Sequence, residues 1–443
     1  MVAQHDRIRG SLAEGDAGSS VRPAMAETPV TSSTLTSSIV TGATVSSSTV
    51  SAVRARVAII ANAPAPYRLA LHRRLIAGVP EVEIFSVFTH DRPEREQPWD
   101  MTGASDINPV RFGVDESCAD APKLAFARRE WKRGGALIRW IREQDLRAVF
   151  MCGYNDPCRL RVIAACRRKR IPVFLVSDSN IHGDRASGTR RVLKNALVPV
   201  VLRACQGFMP CGSTGAAYFT RYGASPDRIF ELPYEPDYSI IESVGPGDVA
   251  RAQARFNLDP ARRRIIFIGR MSPAKRPDLL LEAFQRIAAE RPQWDLLMVG
   301  DGRLRSELTA RASTIGDRNR VLWTGFQGDA RTVATLYKSA DVFVLPSDYE
   351  PWGVVVNEAA AAALALCVTS VVGAAPEFVK DGVNGRVFPP GDADALARAL
   401  LDATDPANTD RYKRASIDVL RAWQTRTNAV QSFRKALTLA GAL

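Results

Sequence analysis

The sequence predicts an α/β protein of two doubly wound, Rossmann-like domains with a cleft between them. Three observations predict it. Short apolar runs of branched and aromatic residues recur along the chain and end in Gly, Pro, Ser or Asp, and amphipathic stretches of helical period lie between them. Midway, a polar connection rich in turn formers (residues 234–263) interrupts the pattern, and then the alternation starts again. Strand and helix alternating at this spacing build a mostly parallel sheet with helices on both faces, and two such sets need two sheets.

The elements follow in order. Residues 1–52 are Ser/Thr-rich, as in SSTLTSSIVTGATVSSSTVSAV, and hold almost no core-forming aromatics, so they are expected to be a disordered tail whose removal leaves folding intact. An N-terminal domain is expected over 53–245. Its strands are RVAIIAN (56–62), VEIFSVF (82–88), RAVFMCG (147–153), PVFLVSDS (172–179) and GFMPCG (207–212), with helical stretches such as 133–144 and 159–170 between them. A second, C-terminal domain is expected over 246–420, with strands RIIFIGR (264–270), WDLLMVGDG (294–302), RVLWTG (320–325), DVFVLPS (341–347), LCVTSVVG (366–373) and RVFPPG (386–391). Residues 421–443 read as a helical segment able to pack back on the first domain.

Composition narrows the function. The chain has 443 residues, 46% hydrophobic and 24% charged, enough for sizeable cores and unlike a fibre. A formal net charge of +12 favours acidic partners: phosphate-rich substrates, nucleic acid or an anionic membrane surface. Seven cysteines form no CxxC pair, and four histidines show no paired spacing, so a protein-built transition-metal site is not expected. No stretch reaches 18 uncharged apolar residues, which predicts a cytoplasmic protein that meets a membrane only peripherally, at its inner face.

The chemistry gathers at strand ends in the second half. IGRMSPAKRPD (268–278) puts Gly269, Arg270 and Lys275 on a loop leading into a helix, where two cations, backbone N–H groups and the helix dipole suit a diphosphate. The loop is neither GxxxxGK[ST] nor GxGxxG, which disfavours P-loop and dinucleotide readings. VGDGRL (299–304) offers Gly300 and Gly302, and WTGF (323–326) ends its strand at Phe326, a ring that can meet a planar base. DYEPWGVVVNE (348–358) then sets Glu350 on a strand–helix turn and Glu358 early in the helix. An acid in the first turn of a helix is common surface chemistry, so neither carboxylate alone marks a site. Their order decides: these features end successive strands and can face one cleft, and a ligand with both diphosphate and vicinal hydroxyls, a nucleotide diphosphate sugar, satisfies the set.

The spacing GR…K…E-x7-E, completed by GAAPEFVKDGVNGRVFPPGD (373–392), resembles the retaining glycosyltransferase family 4 of GT-B fold, strongly over 264–400 and loosely over the first domain through NAPAPYR (62–68) and CGSTGAAYFTRYGASPDRI (211–229). The resemblance implies a transferase of the hexosyl type that keeps the donor's anomeric configuration. It places Arg270 and Lys275 on the donor diphosphate and Glu350 on the donor sugar. Gly353, Val354 and Val355 would offer backbone N–H groups, and Glu358 would hold the ribose. The acceptor would be a saccharide or a lipid-linked molecule, as in bacterial surface or exopolysaccharide synthesis. Two departures stand out. Ala363-Leu364-Ala365 replaces the family's Gly-x-Pro, and the first loop is stiffened by Pro64 and Pro66 instead of being glycine-rich. On the acceptor side Tyr67 and Arg68 can stack on and charge-pair with the acceptor, and Asp178 is a further candidate contact; His182 beside it reads as a hydrogen-bonding group. No Asp-x-Asp adjoins an apolar strand end, so no metal or other cofactor is expected. A GT-B-like nucleotide-sugar epimerase is the alternative, disfavoured by the scarcity of histidine. Nucleic-acid binding is not expected, since the basic runs lack interleaved aromatics, whereas TRRVLKNALVPVVLR (189–203) suits anionic lipid.

Overall fold

The computed structural model describes residues 54–91, 104–113, 123–313 and 320–443; the expected tail over 1–52 and Cys118 lie outside them. The first sheet holds β1 (Ala55–Ala61), β2 (Val82–Phe88), β3 (Pro109–Arg111), β4 (Ala148–Cys152), β5 (Val173–Ser177) and β6 (Gly207–Pro210). The second holds β7 (Arg263–Ile268), β8 (Trp294–Val299), β9 (Val321–Gly325), β10 (Val342–Leu345), β11 (Ala365–Thr369) and β12 (Gly385–Phe388). All pairings within each sheet are parallel. Both faces of each sheet are covered, which is why the strands read as continuous apolar runs.

The two sheets share one topology. Their orders are β3-β2-β1-β4-β5-β6 and β12-β11-β10-β7-β8-β9, the doubly wound order written from opposite edges. Each sheet therefore has a point where the winding reverses, between β1 and β4 in the first and between β7 and β10 in the second. At such points the loops on the carboxyl side splay apart and leave room for a ligand.

In the first domain, Val57 and Ile59 pack with Leu71 and Leu75 of the helix Pro66–Gly78, whereas Ala58 and Ile60 pack with Leu137, Val162 and Leu202 on the opposite face. The helices Lys123–Glu143, Pro157–Lys169 and Gly188–Arg203 thus form one layer. The chain crosses between domains twice. Leu232 still bonds to Pro210 of the first domain, and Tyr238–Glu242 already packs on the second, ahead of the border expected near 245. The helix Pro406–Arg426 runs through position 420, and the return comes at Thr427 and Asn428. Beyond it, the helix Ala429–Leu439 seats Phe433 against Phe150, ring centroids 4.5 Å apart, and Arg434 donates to the carbonyl of Gly78 at 3.0 Å.

Candidate functional site

The loop after β7 is shaped by the loop beside it. Met271 donates its N–H to the Asp301 carbonyl at 2.8 Å, and Leu304 donates to the Met271 carbonyl at 3.1 Å. A Cβ at Gly302, whose φ is +148°, would lie 2.7 Å from the Met271 oxygen, so only glycine lets these two strand-end loops stack backbone to backbone. Gly302 therefore carries the loop that bears the cations. Gly269 is not among the left-handed glycines, and its carbonyl approaches Gly300 so closely that a Cβ there would lie 2.0 Å from the oxygen.

Arg270 and Lys275 both sit half-buried on this loop. The ammonium of Lys275 forms an ion pair with the carboxylate of Glu350. Burial, with Arg270 close by, brings the Lys275 pKa down to about 8. Lys275 and Glu350 thus come from the two sides of the reversal point in the second sheet and meet across it. A second clasp lies next to them: Arg276 reaches Asp348 at 3.2 Å, and the N–H of Asp348 donates to the Ala274 carbonyl at 3.0 Å. Arg276 adopts a left-handed conformation, φ +52°, immediately before Pro277.

After β10 the chain turns through Glu350 to Gly353, which has φ +93° and precedes the helix Val354–Ala361. The opening N–H groups of a helix have no acceptor within it, so those of Val354 and Val355 point out of its start. Asn357 and Val356 are buried behind them. Glu358 lies one turn further on and accepts a hydrogen bond from the Tyr337 hydroxyl at 2.9 Å. Burial raises its pKa to about 7, which that hydrogen bond partly opposes. Phe326 follows the end of β9 and is 49% exposed.

The first domain contributes the facing wall. Tyr67 and Tyr234 pack with ring centroids 4.8 Å apart, and the guanidinium of Arg68 lies 5.6 Å from both rings while donating to the Ala63 carbonyl at 2.8 Å. Burial raises the pKa of Tyr67, and Asp178, after β5, is near enough to add to the rise. Arg159 fixes the loop itself, bonding Asn62 and donating to the Cys152 carbonyl at 2.7 Å. The pKa of His182 is lowered by burial and by Arg185, which favours its neutral form.

The two walls are bolted together by residues that carry no sequence signature. Asn180, 1% exposed, donates to the carbonyls of Glu350 at 3.1 Å and Pro351 at 2.9 Å. The indole of Trp352 donates to the Tyr234 carbonyl at 2.8 Å. Glu377 accepts from the Ser213 N–H and hydroxyl, 3.1 and 2.6 Å, and from Arg426 at 2.8 Å. Asn180 stands two positions after Asp178 in VSDSN, and only the folded chain reveals that it faces the Glu350 turn.

Among the described residues one group, Glu130, Asp156 and Cys158, has donor atoms close enough for a metal ion. Its carboxylates are already paired, Glu130 with Arg133 and His90 and Asp156 with Arg159. The single Asp-x-Asp of the sequence, Asp392-Ala393-Asp394, is otherwise engaged: Asp392 caps a helix through the N–H of Ala395 at 2.8 Å, and Asp394 pairs with Arg286.

Comparison with known proteins bears on this half of the chain first. Residues 248–416 match the family model for glycosyl transferases group 1. A D-inositol 3-phosphate glycosyltransferase of Segniliparus rotundus is 34% identical over 175 residues, 38% of each chain. An uncharacterized glycosyltransferase of Methanocaldococcus jannaschii is 40% identical over 167 residues, 35% of this chain and 42% of its own. The alignments thus span about two fifths of the length of these curated relatives. Whole-fold similarity is broader: Anabaena HepE, solved with UDP and glucose, superposes with a TM-score of 0.67 at 16% identity over 88% of this chain and all of its own. Sucrose-phosphate synthase of Thermosynechococcus elongatus gives 0.68 at 18% identity, with 88% of this chain and all of its own covered. The fold is that of the GT-B glycosyltransferases.

Proposed function

We propose that this GT-B chain, with a group 1 glycosyl transferase match in its second domain, is a retaining hexosyltransferase of the family 4 type. It moves a sugar from a nucleotide diphosphate sugar to a saccharide or lipid-linked acceptor, as in surface or exopolysaccharide synthesis. The observation that carries the reading is the meeting of Lys275 and Glu350 across the reversal point of the second sheet, with Arg270 on the same loop. A diphosphate entering there takes Lys275 from Glu350 and leaves the carboxylate free to accept sugar hydroxyls. As the bond from the sugar's anomeric carbon to the diphosphate oxygen breaks, negative charge grows on the leaving group, where Arg270, Lys275 and the N–H groups at Val354 and Val355 are already placed. The bond to the acceptor oxygen forms on the same face, and the departing phosphate oxygen receives the acceptor's proton. Glu358 holds the ribose diol, Phe326 and Gly302 border the nucleotide, and Tyr67, Arg68 and Asp178 border the acceptor.

No metal is needed in this scheme, because two fixed cations supply the neutralising charge. The test has three arms. One of the UDP-, GDP- or ADP-sugars should raise the melting temperature by binding linkage. Transfer to an acceptor should continue in EDTA, and NMR of the product should show the donor's anomeric configuration. Loss of activity in EDTA with recovery in magnesium or manganese would overturn the metal-free assignment, and conversion of donor alone would favour an epimerase.

A further inference from the structure

We infer that the helix layer Lys123–Glu143, Pro157–Lys169 and Gly188–Arg203 is a docking face for an anionic lipid bilayer. Its charge sets it apart. These three helices carry sixteen Lys and Arg and two Asp and Glu, an excess of fourteen, against +12 for the whole chain. The rest of the molecule is therefore slightly acidic, and the positive charge belongs to one layer.

Charge alone would serve nucleic acid as well, but the same layer exposes large aliphatic and aromatic side chains. On Gly188–Arg203, Val192 is 70% exposed, Leu193 59%, Leu197 55% and Val200 57%. The positions 193, 197 and 200 follow helical spacing and form one outward stripe. Leu124 at 84% and Trp131 at 55% continue the exposure on the first helix, around a shallow apolar depression lined with Ala127, Arg128 and Pro157. A phosphate backbone gains nothing from aliphatic side chains, whereas an interfacial helix buries them at the acyl boundary while its cations meet the headgroups. The face is also close to the chemistry. The loop that carries Asp178 and Asn180 leads directly into the start of Gly188–Arg203, so a docked layer holds the acceptor side of the cleft at the membrane surface.

Two of the helix's cations do not report on lipid. Arg191 and Lys194 both bind Asp184, each at 2.7 Å, and reversing them would release a buried carboxylate. The clean variants are Leu193→Gln with Leu197→Gln and Val200→Gln, and separately Arg190→Gln with Arg203→Gln. Full-length protein is sedimented with vesicles of phosphatidylglycerol in phosphatidylcholine, with phosphatidylcholine alone, and assayed for gel shift with single-stranded RNA. The wild type should pellet with the anionic vesicles. The triple apolar variant should lose roughly tenfold or more of its partitioning with an unchanged melting temperature, and the double basic variant should lose binding to anionic vesicles only. A wild type that stays in the supernatant, a triple variant that partitions like the wild type, or RNA binding without vesicle binding would overturn the assignment. Nucleotide-sugar thermal shifts on the same variants should match the wild type, which separates a failed docking face from a failed donor site.

Discussion

Lys275 and Glu350 neutralise each other, so neither can be removed without stranding the other. Arg270→Ala and Lys275→Ala are each expected to lower turnover by about 10²–10³, the usual loss for one preorganised charge donor. The double variant Lys275→Ala with Glu350→Gln should be far less impaired than the product of the two single losses, a coupling read directly from kcat in a mutant cycle. Glu358 and Lys275 also set a pH window. Glu358 gains its charge as pH rises through about 7, and Lys275 loses its own above about 8. The profile of kcat/KM should therefore peak between the two values, and Glu358→Gln should abolish the acid limb while weakening donor binding. The sign for stability runs the other way: a raised carboxyl pKa means the folded chain keeps a proton the unfolded chain has released. Stability from this group thus falls as pH climbs from the ordinary carboxyl range to about 7, and melting curves of Glu358→Gln should lack that fall.

At the level of the element, the helix Val354–Ala361 ends in a Schellman turn. Ala363 donates to Ala360 at 3.0 Å and Leu364 to Ala359 at 3.1 Å, with Ala363 at φ +60°. That is the place where a glycine is favoured and where the sequence departs from the family pattern. Ala363→Gly is expected to raise stability by roughly 1 kcal/mol, since relief of the left-handed alanine outweighs the added freedom of the unfolded chain; urea melts would check it. Element identity was largely legible because strands buried on both faces must be continuous apolar runs. β3 was not, since Pro109-Val110-Arg111 is a three-residue edge strand that opens on a proline and carries no period. The two acids of DYEPWGVVVNE could be read because their spacing is local. The clasp of Asp348 with Arg276 and the reach of Asn180 across to Glu350 could not, because each joins residues 72 or more positions apart.

Across the whole molecule the first domain is held by a part of the chain made long after it. Phe433 is fully buried, and its ring packs at a tilt on Phe150, which itself stacks with Phe174. Phe433→Ala should cost about 3–5 kcal/mol, seen as a lower melting temperature with the site residues untouched. The second domain, by contrast, is one uninterrupted stretch from about Tyr238 to Arg426. Synthesis proceeds from the first domain to the second, yet the order of completion is reversed. The half translated later can close as soon as it leaves the ribosome, while the half translated earlier waits with Phe150 uncovered on one side until residue 433 emerges. A nascent chain of this protein therefore spends most of its synthesis with its first domain unfinished.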